Sequence, residues 1–162
     1  MTKKEILCKI FGILGIEKPD MLEFDNRLKY QKIIYLLQAS GISLGYGFNW
    51  YIKGPYSAHL AHELFEIDDS IYKSSQNIVF NNHKSVNDDI IEFKEKLGIN
   101  KENVNYLEVL ASLHYINKAT FSGDGDFDDL KNRLLILKPI LIQVDNIDEL
   151  IKEAYDSLSY FG

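Results

Sequence analysis

Phe48-Asn49-Trp50-Tyr51-Ile52-Lys53-Gly54-Pro55-Tyr56-Ser57 is the stretch on which the fold turns. From Tyr46 to Lys53, Phe48, Trp50 and Ile52 alternate with Asn49, Tyr51 and Lys53, and a period of two is that of a strand with one apolar face. Gly54-Pro55-Tyr56-Ser57 then ends the strand. Glycine brings conformational freedom, proline fixes φ, and the Ser57 hydroxyl is placed to cap a following helix. On both sides the apolar spacing is mostly helical, so a short β element sits within a helical chain.

Upstream, Thr2-Lys3-Lys4-Glu5 has the form of a capping box, and Ile6, Leu7, Ile10, Phe11 and Leu14 follow at helical spacing to about Gly15. Pro19 breaks the chain. Asp25 is the expected N-cap of a second helix in which Tyr30, Ile33, Ile34 and Leu37 share a face and Lys29, Lys32 and Gln38 look outward, with Gly41 as its stop. Downstream, Leu60, Leu64 and Ile67 stripe a helix that ends in Asp68-Asp69-Ser70. Two short β-rich runs, Ile71 to Lys73 and Ile78 to Phe80, flank Ser74-Ser75-Gln76-Asn77 and predict a hairpin. Ser85 through Asp88 is a capping signature for a helix carrying Val86, Ile90, Phe93 and Leu97. From Asn100 or Asn103 runs the most apolar helix, whose lack of a polar circumference makes it central. A helix over about Asp128 to Lys138, stopped by Pro139, and a last one from near Asp145 or Asp148 complete the chain.

The expected class is α+β, mainly α: a winged-helix-like N-terminal half with a small antiparallel β element, followed by a helical bundle extension. It forms a single domain over residues 1–162, without repeats or linkers. In that arrangement the helix after Ser57 is the recognition helix and residues 71–80 are the wing.

Composition narrows the function classes. The 162 residues are 46% hydrophobic and 26% charged, ordinary globular usage and enough for a core of their own. The lone Cys8 excludes an internal disulfide framework and a thiol pair for zinc or redox work, and points to a reducing, cytoplasmic location. No secretory leader or membrane span is expected. The net charge of −6, with Arg27 and Arg133 the only arginines, argues against a general nucleic-acid coat. Residues 1–57 hold eight basic and five acidic residues, 58–120 six and ten, and 121–162 four and nine. A basic front and an acidic back serve as solvated faces or steer a charged partner.

The local motifs point away from catalysis. His59-Leu60-Ala61-His62-Glu63 spaces its imidazoles at i, i+3, whereas a zinc protease helix needs i, i+4 with the Glu between, so surface positions are expected rather than a metal site. Asp124-Gly125-Asp126-Phe127-Asp128-Asp129 resembles the start of a calcium loop. The places that need Gly and Glu hold Asp129 and Leu135, so a turn and helix N-cap are expected instead. His114 is expected to be a buried structural histidine and Cys8 a small core residue. With no G-x-S-x-G, P-loop or G-x-G-x-x-G, neither catalytic residues nor a cofactor is expected. Lys29, Lys32, Lys53, Lys73 and Lys84 make a nucleic-acid stripe only if the fold gathers them.

Several stretches together resemble the YwgA-like family. They are Arg27-Leu28-Lys29-Tyr30-Gln31-Lys32-Ile33-Ile34-Tyr35-Leu36-Leu37-Gln38, the strand into Gly54-Pro55-Tyr56-Ser57, Leu107-Glu108-Val109-Leu110-Ala111-Ser112-Leu113-His114-Tyr115, Leu137-Lys138-Pro139, and Glu153-Ala154. The pattern, running in order from about residue 25 to 158, is also similar to the C-terminal toxin-binding domain of the DarG antitoxins and more remotely to the Panacea antitoxin-like domains. The DarG likeness implies neutralisation by contact, an acidic domain occupying a toxin's basic nucleic-acid groove. No macrodomain accompanies the stretch, so ADP-ribose hydrolysis is not implied.

Two expectations follow. The first is a non-enzymatic, antitoxin-like interaction module of a toxin-antitoxin or phage-defence system, whose partner is a co-encoded toxin or defence enzyme. Its expected contacts are Trp50, Lys53, Tyr56, His59 and His62, with the carboxylates of Asp68, Asp69, Asp124, Asp126, Asp128 and Asp129 as phosphate mimics. The alternative is a winged-helix DNA-binding regulator using the basic front half.

Overall fold

Helices form where caps and apolar spacing coincide. Thr2 accepts the Glu5 amide at 3.2 Å, opening α1 (Lys3–Leu14), and Gly15 at φ 76° closes it. The computed structural model describes residues 1–80 and 84–162, and of these the side chains of all but Lys84 and Ser85. The Ser85 cap and the place of Lys84 in a lysine stripe thus lie outside the described residues. α2 (Phe24–Ala39) begins before the expected N-cap: Glu23 holds the cap position, and Asp25 lies in the first turn, where its charge meets the positive helix end.

The β element differs most from expectation. β1 (Asn49–Tyr51) pairs antiparallel with β2 (Gly54–Tyr56), Trp50 opposite Pro55, and Ile52-Lys53 is the turn between them. The run expected to terminate a strand is therefore the second strand of a hairpin. Gly54 makes this possible at φ 94°, a conformation closed to most side chains. Ile52, expected on the apolar face, is 88% exposed at the turn.

Ser57 accepts the Leu60 amide and opens α3 (Ala58–Phe65). The hairpin expected over 71–80 is absent, because residues Asp69–Ser75 form a helix, α4. Its cap decides: the Asp68 side chain accepts from the Ile71 amide at 2.8 Å, so Asp68-Asp69 open a helix rather than close one. Tertiary bonds hold it to α1, where Gln76 Nε2 donates to the Cys8 carbonyl at 2.8 Å and Lys9 Nζ to the Gln76 carbonyl at 2.9 Å. The short β-branched runs do not outweigh these contacts, and the expected wing is not there.

α5 (Lys84–Leu97) leads through a 3₁₀ segment, Gly98–Glu102, to α6 (Val104–Phe121), which Asn103 caps by accepting the Tyr106 amide. Tyr106 through His114 are all buried, and α2, β2, α7 (Phe127–Leu137) and α8 (Ile147–Ser157) pack around this central helix. A 3₁₀ segment, Pro139–Gln143, joins the last two helices, and another, Leu158–Phe161, follows α8. The molecule is thus mainly helical with one two-stranded antiparallel sheet among the described residues, and no helix described is long and apolar enough to cross a membrane.

Candidate functional site

Three stretches remote in sequence meet beneath the hairpin. From α2, Lys32 Nζ donates to the Pro55 carbonyl at 2.7 Å. The neighbouring Gln31 brackets Ser57, its Nε2 donating to the Ser57 carbonyl and its Oε1 accepting the Ser57 amide, both at 2.9 Å. From the end of α7, Lys138 Nζ donates to the Ile52 carbonyl at 2.8 Å and to Glu108 Oε2 of α6 at 2.6 Å. Ser112, one helical turn after Glu108, lies under Gly54, where a Cβ would stand 2.6 Å from its Oγ. The turn is held on both sides by buried donors, which fixes the exposed residues it presents.

Lys32, expected to look outward, is 1% exposed, because the hairpin covers a second face of α2. Burial, reinforced by the nearby Lys138 ammonium and opposed by Glu108, pulls Lys32 down to about 7. Burial also lowers Lys138, against the stabilising hydrogen bond that its ammonium donates to Glu108. A carboxylate bonded to one lysine, with a second lysine able to lose its proton near neutrality, is how this cluster tolerates a low dielectric. Lys32 lies beside the Ser112 hydroxyl, which has no hydrogen-bond partner among the described residues, and the two have the makings of a base and a nucleophile. Both side chains are buried, Lys32 1% exposed and Ser112 0%, and Gly54 lies over them, between the pair and the groove that the hairpin forms with α2.

The hairpin displays Tyr51, half exposed, and Ile52. Between them and α2 lies a groove of about 340 Å³, walled by Phe24, Leu28, Tyr56 and the hairpin, in which lysines are the only charged residues among the described lining. Trp50 packs on Tyr115 with ring centroids 5.5 Å apart and receives the Lys138 ammonium over its ring at 5.7 Å; it anchors the hairpin from below. Tyr56 packs edge-on against Tyr51, and Lys53 is at the turn with no ion-pair partner among the described residues.

The other expected site residues lie elsewhere. His59 and His62, on α3, each pair with the carboxylate one turn on, Glu63 at 3.1 Å and Glu66 at 3.2 Å, and His59 also packs against Tyr46. No group of three or more His, Cys, Asp or Glu able to hold a metal ion exists among the described residues. Asp68 caps α4, and Asp69 faces Lys18 at 3.8 Å. Asp126 and Asp129 cap α7 reciprocally, the turn and N-cap expected of that loop, while Asp124 and Asp128 are exposed beside them. Neither acidic cluster lines the groove. Nor do the lysines gather into a stripe: Lys29 binds Glu102 at 2.9 Å, Lys32 is buried, and Lys73 is on α4, away from the groove. His114 is the buried structural histidine expected. Its Nε2–H donates to the Phe161 carbonyl, Nδ1 accepts from the Tyr35 hydroxyl at 2.7 Å, and burial lowers its pKa, keeping it neutral.

Fold and site together define a mainly helical α+β domain that presents a stapled β-hairpin. The chain matches no family model, no curated protein and no solved structure.

Proposed function

We propose that the chain is a non-enzymatic, antitoxin-like interaction module of the YwgA-like kind, which neutralises or regulates a co-encoded toxin or defence enzyme by contact at the hairpin. The observation that carries the reading is the convergence beneath one turn of stretches that bear the resemblance: Gln31 and Lys32, Gly54 to Ser57, Glu108 and Ser112, and Lys138. A buried polar network that holds a short, partly apolar turn in one conformation lowers the ordering cost of binding, as an interaction anchor requires. Tyr51 and Ile52 supply the apolar contact and Lys53 the orientation. Of the six carboxylates expected as phosphate mimics, Asp124 and Asp128 are exposed and make neither a cap nor an ion pair among the described residues, whereas Asp68, Asp126 and Asp129 are engaged as caps and Asp69 faces Lys18.

Affinity capture with the product of the neighbouring gene tests this. Binding is expected, and Tyr51→Ala should weaken it by about 2 kcal/mol, roughly thirtyfold. No binding to any co-encoded protein, or binding indifferent to Tyr51 and Ile52, would sink the proposal. The DNA-regulator alternative rests on the basic front half alone, without the expected wing or a gathered lysine stripe. It predicts a duplex-DNA affinity that falls steeply with salt.

A further inference from the structure

The groove and its surroundings contain both halves of a complementary contact. One half is the groove: apolar walls, Lys53 at its rim with no ion-pair partner among the described residues, and the Arg27 guanidinium stacked 5.5 Å from the Phe24 ring centroid at its edge. The other is the 3₁₀ segment Pro139–Gln143, which exposes Ile140 at 64% and Ile142 at 63% and is followed by Asp145, an exposed carboxylate with no ion-pair partner among the described residues. The halves are close on one molecule. Lys138, which directly precedes the segment, bonds the Ile52 carbonyl at the turn, so one lysine side chain separates them.

Exposed apolar residues this concentrated mark a contact surface. Groove and ridge differ in shape and in charge sign, so neither can pair with itself, yet each chain carries one of both. A two-fold arrangement in which each ridge enters the other chain's groove uses both and leaves no half unpaired. We propose that the occupant of the hairpin groove is a second copy of this chain, seated through Ile140 and Ile142 with Asp145 against Lys53. The inference rests on the function proposed above only in taking the hairpin face as a contact surface. It adds that self-association covers this face until a partner displaces the second copy.

Sedimentation velocity of the purified chain across micromolar concentrations tests it. A monomer–dimer equilibrium is expected, weakened at least about tenfold by Ile52→Glu and by Ile140→Glu. Lys53→Glu should weaken it as well, and adding Asp145→Lys to that variant should recover it. These side chains are exposed or at the rim, and an unchanged far-UV circular dichroism spectrum would certify folding, since loss of a dimer by itself lowers the melting temperature. A chain that is monomeric at every concentration, or a dimer indifferent to both isoleucine substitutions, overturns the proposal. A monomer that still captures its neighbour would leave the function proposed above standing and remove only the dimer.

Discussion

Lys32 carries its amine beneath the hairpin with one carbonyl acceptor at 2.7 Å. In the unfolded chain the same amine keeps its ordinary value of 10.5, while in the folded chain it is pulled down to about 7. At this site the unfolded state therefore binds more protons between these values, and the contribution of Lys32 to stability rises with pH across that window. Below about pH 7 both states hold the proton and the cost of burying the charge is fully present. Above it the folded amine is neutral and the cost is relieved, by at most about 1.4 kcal/mol per pH unit. Chemical denaturation of the native chain and of Lys32→Met at several pH values from 7 to 10 should give a stability difference that grows in favour of the native chain. A constant difference would mean that Lys32 keeps its proton. The burial of Lys32 is not legible in the sequence, because a single apolar face, Tyr30, Ile33, Ile34 and Leu37, accounts for the helix, and nothing local shows that a hairpin covers another. The partial signal is that Gln31, Lys32, Leu36 and Leu37 leave the middle of α2 without a wholly polar side.

At the scale of the element, the hairpin depends on Gly54. It combines a positive φ with a Cβ position 2.6 Å from Ser112 Oγ and 3.5 Å from Lys32 Nζ. Gly54→Ala must both strain the backbone and push against a buried helix, so a loss of about 2 kcal/mol or more in stability is expected by denaturant titration. A change near zero would mean that the turn is not held as described. The helices were legible because caps and stripes are local chemistry: Thr2, Ser57, Asn103 and Asp126 all cap as their side chains suggest. The β element was legible only in kind. Alternation in Phe48 to Lys53 signals a strand, but Gly54-Pro55 is turn chemistry in isolation, and its use as a strand needs α2, α6 and Lys138 as support. The false hairpin over 71–80 has the same origin in reverse, since β-branched residues there are overruled by the Asp68 cap and by bonds to α1. Of the candidate contact residues, Trp50, Lys53 and Tyr56 share the hairpin, whereas the alternation conceals Ile52 by placing it on an apolar strand face and Tyr51 by placing it on the polar one.

At the scale of the molecule, the final 3₁₀ segment closes the fold, a role that no local pattern announces. Phe161 is 2% exposed, its ring 6.0 Å from that of Phe93 on α5, and its carbonyl accepts from His114 on α6. His114 in turn accepts from Tyr35 on α2, so one chain of contacts runs from the last residues through the central helix to the helix that carries Lys32 and the groove wall. Phe161→Ala removes a ring from a filled site and leaves a cavity between α5 and α6, a change that typically costs about 3–5 kcal/mol. The backbone carbonyl survives the substitution. Loss beyond the packing term would therefore report loosening of the segment and of the His114 bond with it. The imidazole C–H signals of His114 separate these outcomes. If only packing is lost, His114 remains neutral and the melting temperature falls. If the segment detaches, water reaches the ring and relieves the burial that is the larger influence on His114, outweighing the loss of the carbonyl bond that works the other way, so His114 should titrate closer to the ordinary imidazole value as the stability drops. Detachment is the expected result, because the aromatic contact with Phe93 is what seats the carbonyl against the ring. An unchanged melting temperature would show that the segment does not close the fold.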